Sequence, residues 1–203
     1  MLRVEELTRS GQDPDLGPLS VHIEAGECLA LTGPSGAGKS LLLRALADLD
    51  PNQGEVTLAE RRRSTFSAPA WRRLVNYLPA EPGWWAETVG EHMPDGVPGR
   101  DLLTALGFDD PEAVLSWPIA RLSTGERQRI ALARGLRLGA KVLLLDEPTS
   151  ALDAGNRALV EELLLARLEH GAAILLVSHD PAQTARLAKR GLRLEQGQIV
   201  PPP

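Results

Sequence analysis

The stretch "GPSGAGKS", Gly33 to Ser40, limits this chain more than any other feature of its sequence. It fits G-x-x-x-x-G-K-[ST]. It follows the strand-like apolar residues of "LSVHIEAGECLALTG" and opens "GKSLLLRALADL", whose leucines recur at helical spacing until Pro51. Between a strand and a helix, such glycines let successive backbone N–H groups curl around phosphate oxygens, and the helix start adds its positive dipole end. Lys39 would reach the β- and γ-phosphates, and the Ser40 hydroxyl would ligate Mg²⁺. Gly33, Pro34, Ser35, Gly36, Ala37, Gly38, Lys39 and Ser40 are therefore the candidate nucleotide-binding residues. A fold that honours this motif is an α/β sheet with the loop at the carboxyl end of a strand.

The rest of the chain agrees. "KVLLLDEP" and "AAILLVSHD" are apolar runs of strand length, the kind a sheet buries on both faces. "AGNRALVEELLLARLEHG" is periodic as a helix, with Gly171 to end it, and "PAQTARLAKRG" is a shorter helix begun by Pro181. "GEVTLAE" reads as a short strand and "LRLEQGQIV" as a final hairpin turning at Gln196-Gly197. Strands alternating with helices predict a parallel sheet core over residues 1–83 and 138–203. From about 84 to 137, helix-compatible segments broken by Pro and Gly predict an inserted small helical subdomain.

Two further stretches carry chemistry. A buried strand ending in Asp146-Glu147 delivers two carboxylates to the sheet edge where ligands bind. Asp146 suits the Mg²⁺ shell, and Glu147 suits a base that polarises water for in-line attack on a γ-phosphate. In "LSTGERQRIALARGL", Ser123 can cap a helix, and the N–H groups near Gly125 can bind a phosphate; a plain capped helix explains the same residues.

Composition narrows the class. With 43% apolar and 24% charged residues the chain reads as a globular domain, and no apolar run is long enough for a membrane span. The opening "MLRVEELTRSGQD" is too polar for a signal peptide, and Cys28, the one cysteine, allows no internal disulfide. A net charge of −5 argues against a nucleic-acid partner.

In order along the chain, these stretches resemble the ATP-binding cassette (ABC) ATPases, nearly end to end. "GPSGAGKS" looks like their Walker A, "LSTGE" like their signature LSGGQ, "VLLLDE" like their Walker B and "SALD" like their D-loop. His179 in "VSHD" sits where their switch histidine lies. The resemblance implies a P-loop NTPase sheet core with a helical insertion, binding ATP and Mg²⁺ and hydrolysing ATP. It implies a head-to-tail dimer in which each nucleotide touches Walker A of one subunit and Ser123 and Gly125 of the other. Glu147 would be the general base, His179 would contact the γ-phosphate, and Asp153 would link the two sites. The chain would serve an integral membrane permease encoded separately, from the cytoplasmic face of the membrane. The short form, ending soon after the last hairpin, resembles small bacterial cassettes without a C-terminal regulatory domain, including those of metal or iron efflux.

This sequence also departs from the family. Thr124 and Glu126 replace residues of LSGGQ. Ala80, in "YLPAEP", stands where cassettes carry a glutamine that reaches metal and water; Glu81 beside it could substitute, but successive side chains point apart in an extended chain, which disfavours it. Residues 1 to 30 hold no Phe, Tyr or Trp to stack on adenine; Arg9 either stacks there or is a solvated charge. Arg61, Arg62, Arg63, Arg72 and Arg73 form one basic stretch, read as a solvated surface before an anionic contact. In "LPAEPGWWAETV" adjacent side chains point apart, which predicts one of Trp84 and Trp85 buried and the other at least partly exposed. By resemblance this segment borders the groove that receives a helix of the permease, so the exposed indole is a candidate anchor. Two rivals stay open: a non-transport cassette acting as an ATP-driven clamp, and a P-loop kinase acting on a small acceptor.

Overall fold

The computed structural model describes residues 1–11, 14–93, 99–136 and 139–201. Two sheets are present among the described residues. One is antiparallel, in the order β2-β1-β4-β5, built from β1 (Leu2–Arg9), β2 (Leu16–Ile23), β4 (Gln53–Leu58) and β5 (Arg61–Arg62). The other has the order β10-β9-β3-β8-β7-β6 and joins β3 (Cys28–Thr32), β6 (Val75–Leu78), β7 (Val142–Asp146), β8 (Ala173–Val177), β9 (Arg190–Glu195) and β10 (Gln198–Val200). Its strands run parallel except at β10, which pairs antiparallel with β9.

The burial pattern explains why β7 and β8 read as unbroken apolar runs. Val142, Leu144, Ala173, Leu175 and Val177 face one core, shared with α1 (Lys39–Leu46) and the antiparallel sheet. Leu143, Leu145, Ile174 and Leu176 face a second core, shared with α3 (Arg100–Ala105), α5 (Thr124–Leu136) and α6 (Ala154–Glu169). Both faces are covered, so alternation disappears. Each leucine fully buried this way contributes about 1.5–3 kcal/mol over leaving it in water. Helices α2 (Ala68–Leu74), α4 (Pro111–Leu115) and α7 (Pro181–Leu187) are the other α-helices among the described residues.

Helix starts follow the expected chemistry. Asp153 caps α6 by accepting the Asn156 N–H at 2.9 Å, and Asp180 caps α7 through the N–H groups of Ala182 and Gln183. On α5 the Ser123 hydroxyl accepts the Glu126 N–H while the Glu126 carboxylate accepts the Ser123 N–H at 2.8 Å, a reciprocal capping box. The final hairpin turns at Gln196-Gly197, both at positive φ, as expected.

Two expectations change, and the structure adds features that the sequence did not mark. The strands on either side of Ala25-Gly26 enter different sheets, so that turn crosses between layers. Strand β1 and helix α2 add elements that periodicity did not mark. Arg9 is no solvated charge: it is 5% exposed and pairs with Asp50 at 3.2 Å, beside a two-pronged contact from Arg44. Arg44 chiefly holds the Asp50 carboxyl below the usual carboxylate range, against the opposing effect of burial. Nor is the basic stretch wholly solvated. Arg63 donates to the Ala45 carbonyl and to Asn52, and Arg72 donates to the Asp48 carbonyl. These contacts tie the last turn of α1 and the residues just after it to the segments that carry Arg63 and Arg72.

Candidate nucleotide site

Strand β3 stops at Thr32 and the chain turns back over the sheet edge through Gly33. A Cβ at Gly33 would lie 2.1 Å from the Leu194 carbonyl oxygen, so β9 leaves room for glycine alone. Gly36 sits at φ +78 with open space around it, so conformation makes the demand there. Helix α1 then begins without any side-chain cap and without an acidic residue in its first turn. Its first N–H groups and its dipole end are left for an anion. Lys39 Nζ donates to the carbonyls of Gly33 at 2.8 Å and Pro34 at 2.9 Å. An ammonium has three N–H groups, so one remains to meet an incoming phosphate.

A cavity of about 370 Å³ opens over this loop, and Ser35 to Ser40, Asp146, Glu147 and His179 line it. Asp146 ends β7 almost fully buried, and the Tyr77 hydroxyl donates to its Oδ2 at 3.2 Å. Burial and the Asp146 charge push the Tyr77 phenol well up, so it stays a proton donor. Glu147 takes φ +49, a left-handed conformation costing a side chain other than glycine about 1–2 kcal/mol. Its N–H bonds the Val177 carbonyl at 3.0 Å, tying the turn to β8. Its carboxylate meets the next loop, with Oε1 3.3 Å from His179 Nε2 and Oε2 3.4 Å from the His179 N–H. The 3.3 Å approach is close enough for ion pairing but lacks hydrogen-bond alignment, which leaves Oε1 buried without a hydrogen-bond partner. Burial raises the Glu147 carboxyl above the usual range, and His179 pulls the other way. A partly desolvated carboxylate facing this loop is a candidate proton acceptor.

The structure thus brings together Ser35 to Ser40, Asp146, Glu147 and His179; Gly33 lines an adjoining cavity with Lys39 and His179, and Pro34 lines neither. It does not bring Ser123, Gly125 or Asp153 to the cavity. Ser123 is exposed at the start of α5 and Asp153 is exposed at the start of α6. Ala80 does line the cavity, as its place in the sequence implies, and brings a methyl group only. Glu81 is exposed and is not among the lining residues, which removes it as a replacement for the glutamine. Arg9, held by Asp50, is likewise removed as a stacking group; among the described residues of the N-terminal region, Pro14 reaches the cavity. Sequence reasoning missed Tyr77 and Gln128. Nothing local marks Tyr77. Gln128 lies four residues before Leu132, on the buried face of α5, and that spacing was a usable signal.

The family model for the ABC transporter matches residues 16–150, which is most of the chain and spans the loop, the signature-like stretch and the Asp146-Glu147 pair. The chain belongs to the ABC transporter family. It is 39% identical, over 98% of its length and 79% of the relative's, to the aliphatic sulfonates import ATP-binding protein SsuB 2 of Mesorhizobium japonicum. It is also 39% identical, over 96% of its length and 70% of the relative's, to the hemin import ATP-binding protein HmuV of Rhodococcus jostii. A solved ATP-binding subunit of an ABC transporter superposes with a TM-score of 0.86 at 25% identity, covering 98% of this chain and 88% of that one. This chain is an ABC transporter ATP-binding subunit, and it binds and hydrolyses ATP.

Proposed function

We propose that this ABC subunit drives import through a separate membrane permease, as one half of a head-to-tail pair of cassettes. The observation that carries the pairing is the split among its site residues. Ser35 to Ser40, Asp146, Glu147 and His179 share one cavity, whereas Ser123, exposed, and Gly125, half-buried, sit outside it at the start of α5. A second copy would supply its own Ser123 and Gly125 to each nucleotide, and Asp153 would lie along the shared face. Residues from about 84 to 137 would form the helical unit; its far boundary and residues 94–98 lie outside the described residues.

The donor set fits a hard cation. The Ser40 hydroxyl and the nearly buried Asp146 carboxylate line the same wall, and they would hold Mg²⁺. Bound there, it would neutralise charge on the β- and γ-phosphate oxygens. Lys39 and the uncapped start of α1 bind the phosphates, Glu147 accepts the proton of the attacking water, and His179 steadies the γ-phosphate from the β8 side.

For the permease we propose the groove between β6 and α5, a cavity of about 340 Å³ lined by Leu78, Trp85, His92, Leu132 and Arg134. Trp84 is half-buried and Trp85 is 70% exposed. The His92 ring accepts the Trp85 N–H at 2.8 Å, and Arg134 lies 4.8 Å from the indole centre, so the exposed ring is held in place. No described helix is long and apolar enough to cross a membrane, which agrees with a span supplied by a partner. The relatives' names, which say import, support this direction over the efflux likeness of the short form. Those names give chemically unrelated cargoes at equal identity, an aliphatic sulfonate and hemin, so we place cargo choice in the permease.

One pair of variants tests the assignment. Glu147→Gln should keep ATP binding, lose about 10²- to 10⁴-fold in turnover and accumulate as an ATP-bound dimer by light scattering. Lys39→Ala should instead lose binding. Parental turnover in Glu147→Gln would refute the base assignment.

A further inference from the structure

Gln128 lies inside α5 and is 6% exposed. Its amide is spent on one short stretch of backbone. Nε2 donates to the Glu147 carbonyl at 2.7 Å and lies 3.3 Å from the Ser150 hydroxyl, while Oε1 accepts the Ala151 N–H at 3.1 Å. The same side chain lines the groove that carries Trp85. The helix comes close to that stretch again at Gly125, where a Cβ would lie 3.1 Å from the Ala151 carbonyl oxygen.

The residue so held is the one at φ +49. A left-handed glutamate persists only where its surroundings over-determine it. Ser150 also bonds the Glu147 carbonyl, but from an exposed position where water competes. Gln128 makes its bond away from solvent, where a hydrogen bond is electrostatically stronger. The Ala80 side chain is a methyl group, so it cannot orient Glu147 by a hydrogen bond.

We infer that Gln128 is a positioning residue for ATP hydrolysis. It fixes the Glu147 turn so that the carboxylate faces the phosphates, and it ties that turn to the helix whose first residues would serve the partner's nucleotide. The inference rests on Glu147 being the base.

Gln128→Met keeps the side-chain length and removes both hydrogen-bonding roles. It should bind ATP with a KM within about threefold of the parent while kcat falls about 10- to 100-fold, the usual cost of a slightly misplaced group. Gln128→Glu gives a readout that plain structural support does not move. At about pH 8 the introduced carboxylate still accepts the Ala151 N–H but has nothing to donate to the Glu147 carbonyl. Near pH 5.5 a burial-raised carboxyl regains a proton and with it the donor. The ratio of its kcat to the parental kcat should therefore climb several-fold as pH falls. This second variant carries the test even if the methionine variant folds poorly.

Parental kcat in Gln128→Met overturns the inference, and so does a pH-independent ratio in Gln128→Glu with kcat and KM impaired together. Glu147→Gln, measured alongside, separates the causes. If it is inactive while Gln128→Met is unimpaired, the positioning role fails alone. If Glu147→Gln turns over normally, the base assignment fails and takes this inference with it.

Discussion

Glu147 combines three costs: a left-handed backbone, a desolvated carboxyl and an oxygen without a hydrogen-bond partner. These make a prediction in pH. Its folded-state carboxyl is raised above the unfolded value, so it favours the folded state most below the ordinary glutamate range, and that contribution is lost as pH rises through the folded value. At neutral pH the ionised group is therefore a burden, and Glu147→Gln should raise the melting temperature there, with the gain shrinking as the buffer is made acidic. In the parent, the acid limb of kcat/KM should fall at higher pH than an exposed glutamate would give. A melting temperature that Glu147→Gln leaves unchanged at pH 7 would contradict this. The base of the nucleotide gives another prediction. With no aromatic platform and Arg9 locked to Asp50, the site forgoes the roughly 1–3 kcal/mol that stacking supplies. ATP and GTP should compete nearly equally, and a preference of about a hundredfold, some 2.7 kcal/mol, would refute it. At this scale the sequence was legible where spacing along the chain sets chemistry, as in Gly33 to Ser40. Arg9 was not legible, because its burial depends on Asp50, 41 positions away.

Elements were legible where their periodicity was complete. Strands β7 and β8 announced themselves because both faces are covered, and α6 because its length carries its pattern. Helix α2 was hidden: it is 7 residues long and places one residue, Trp71, fully in the core. Its indole donates to the Leu46 carbonyl at 2.9 Å, a contact between helices that no local pattern shows. The division of β2 and β3 between two sheets was hidden for the same reason, since partners are chosen by distant strands. The tryptophan segment was half legible. Alternation foretold that Trp84 and Trp85 would differ, and Trp84 proves half-buried where burial was expected. The His92 ring, which fixes the segment through the N–H groups of Trp85 and Ala86, went unmarked. Trp85→Ala should leave the ATPase of the isolated subunit within about twofold while weakening permease binding by about 2 kcal/mol or more, as loss of an interface anchor does. Co-purification of the variant with the permease at parental affinity would remove Trp85 as the anchor.

The whole molecule divides its chemistry between two regions. Ser35 to Ser40, Asp146, Glu147 and His179 gather in one cavity at the edge of the parallel sheet, where β3, β7 and β8 end, and Ser123 stands exposed at the start of α5, outside that cavity. Order along the sequence showed both sets of residues; that they stand apart in one chain is a fact of the fold. The central claim is that a working site needs both sets, from two chains. Mixing two inactive variants tests it. Glu147→Gln spoils a chain's own nucleotide site and leaves its α5 start intact. Ser123→Asp does the reverse: it keeps an oxygen to accept the Glu126 N–H and puts a negative charge where the partner's phosphate would come. In a mixed head-to-tail dimer both lesions fall on one site and the other site is whole. Equal amounts mixed before ATP is added should hydrolyse several-fold more than the sum of the two alone; a rate equal to that sum would show that each chain completes its own site and would contradict the account.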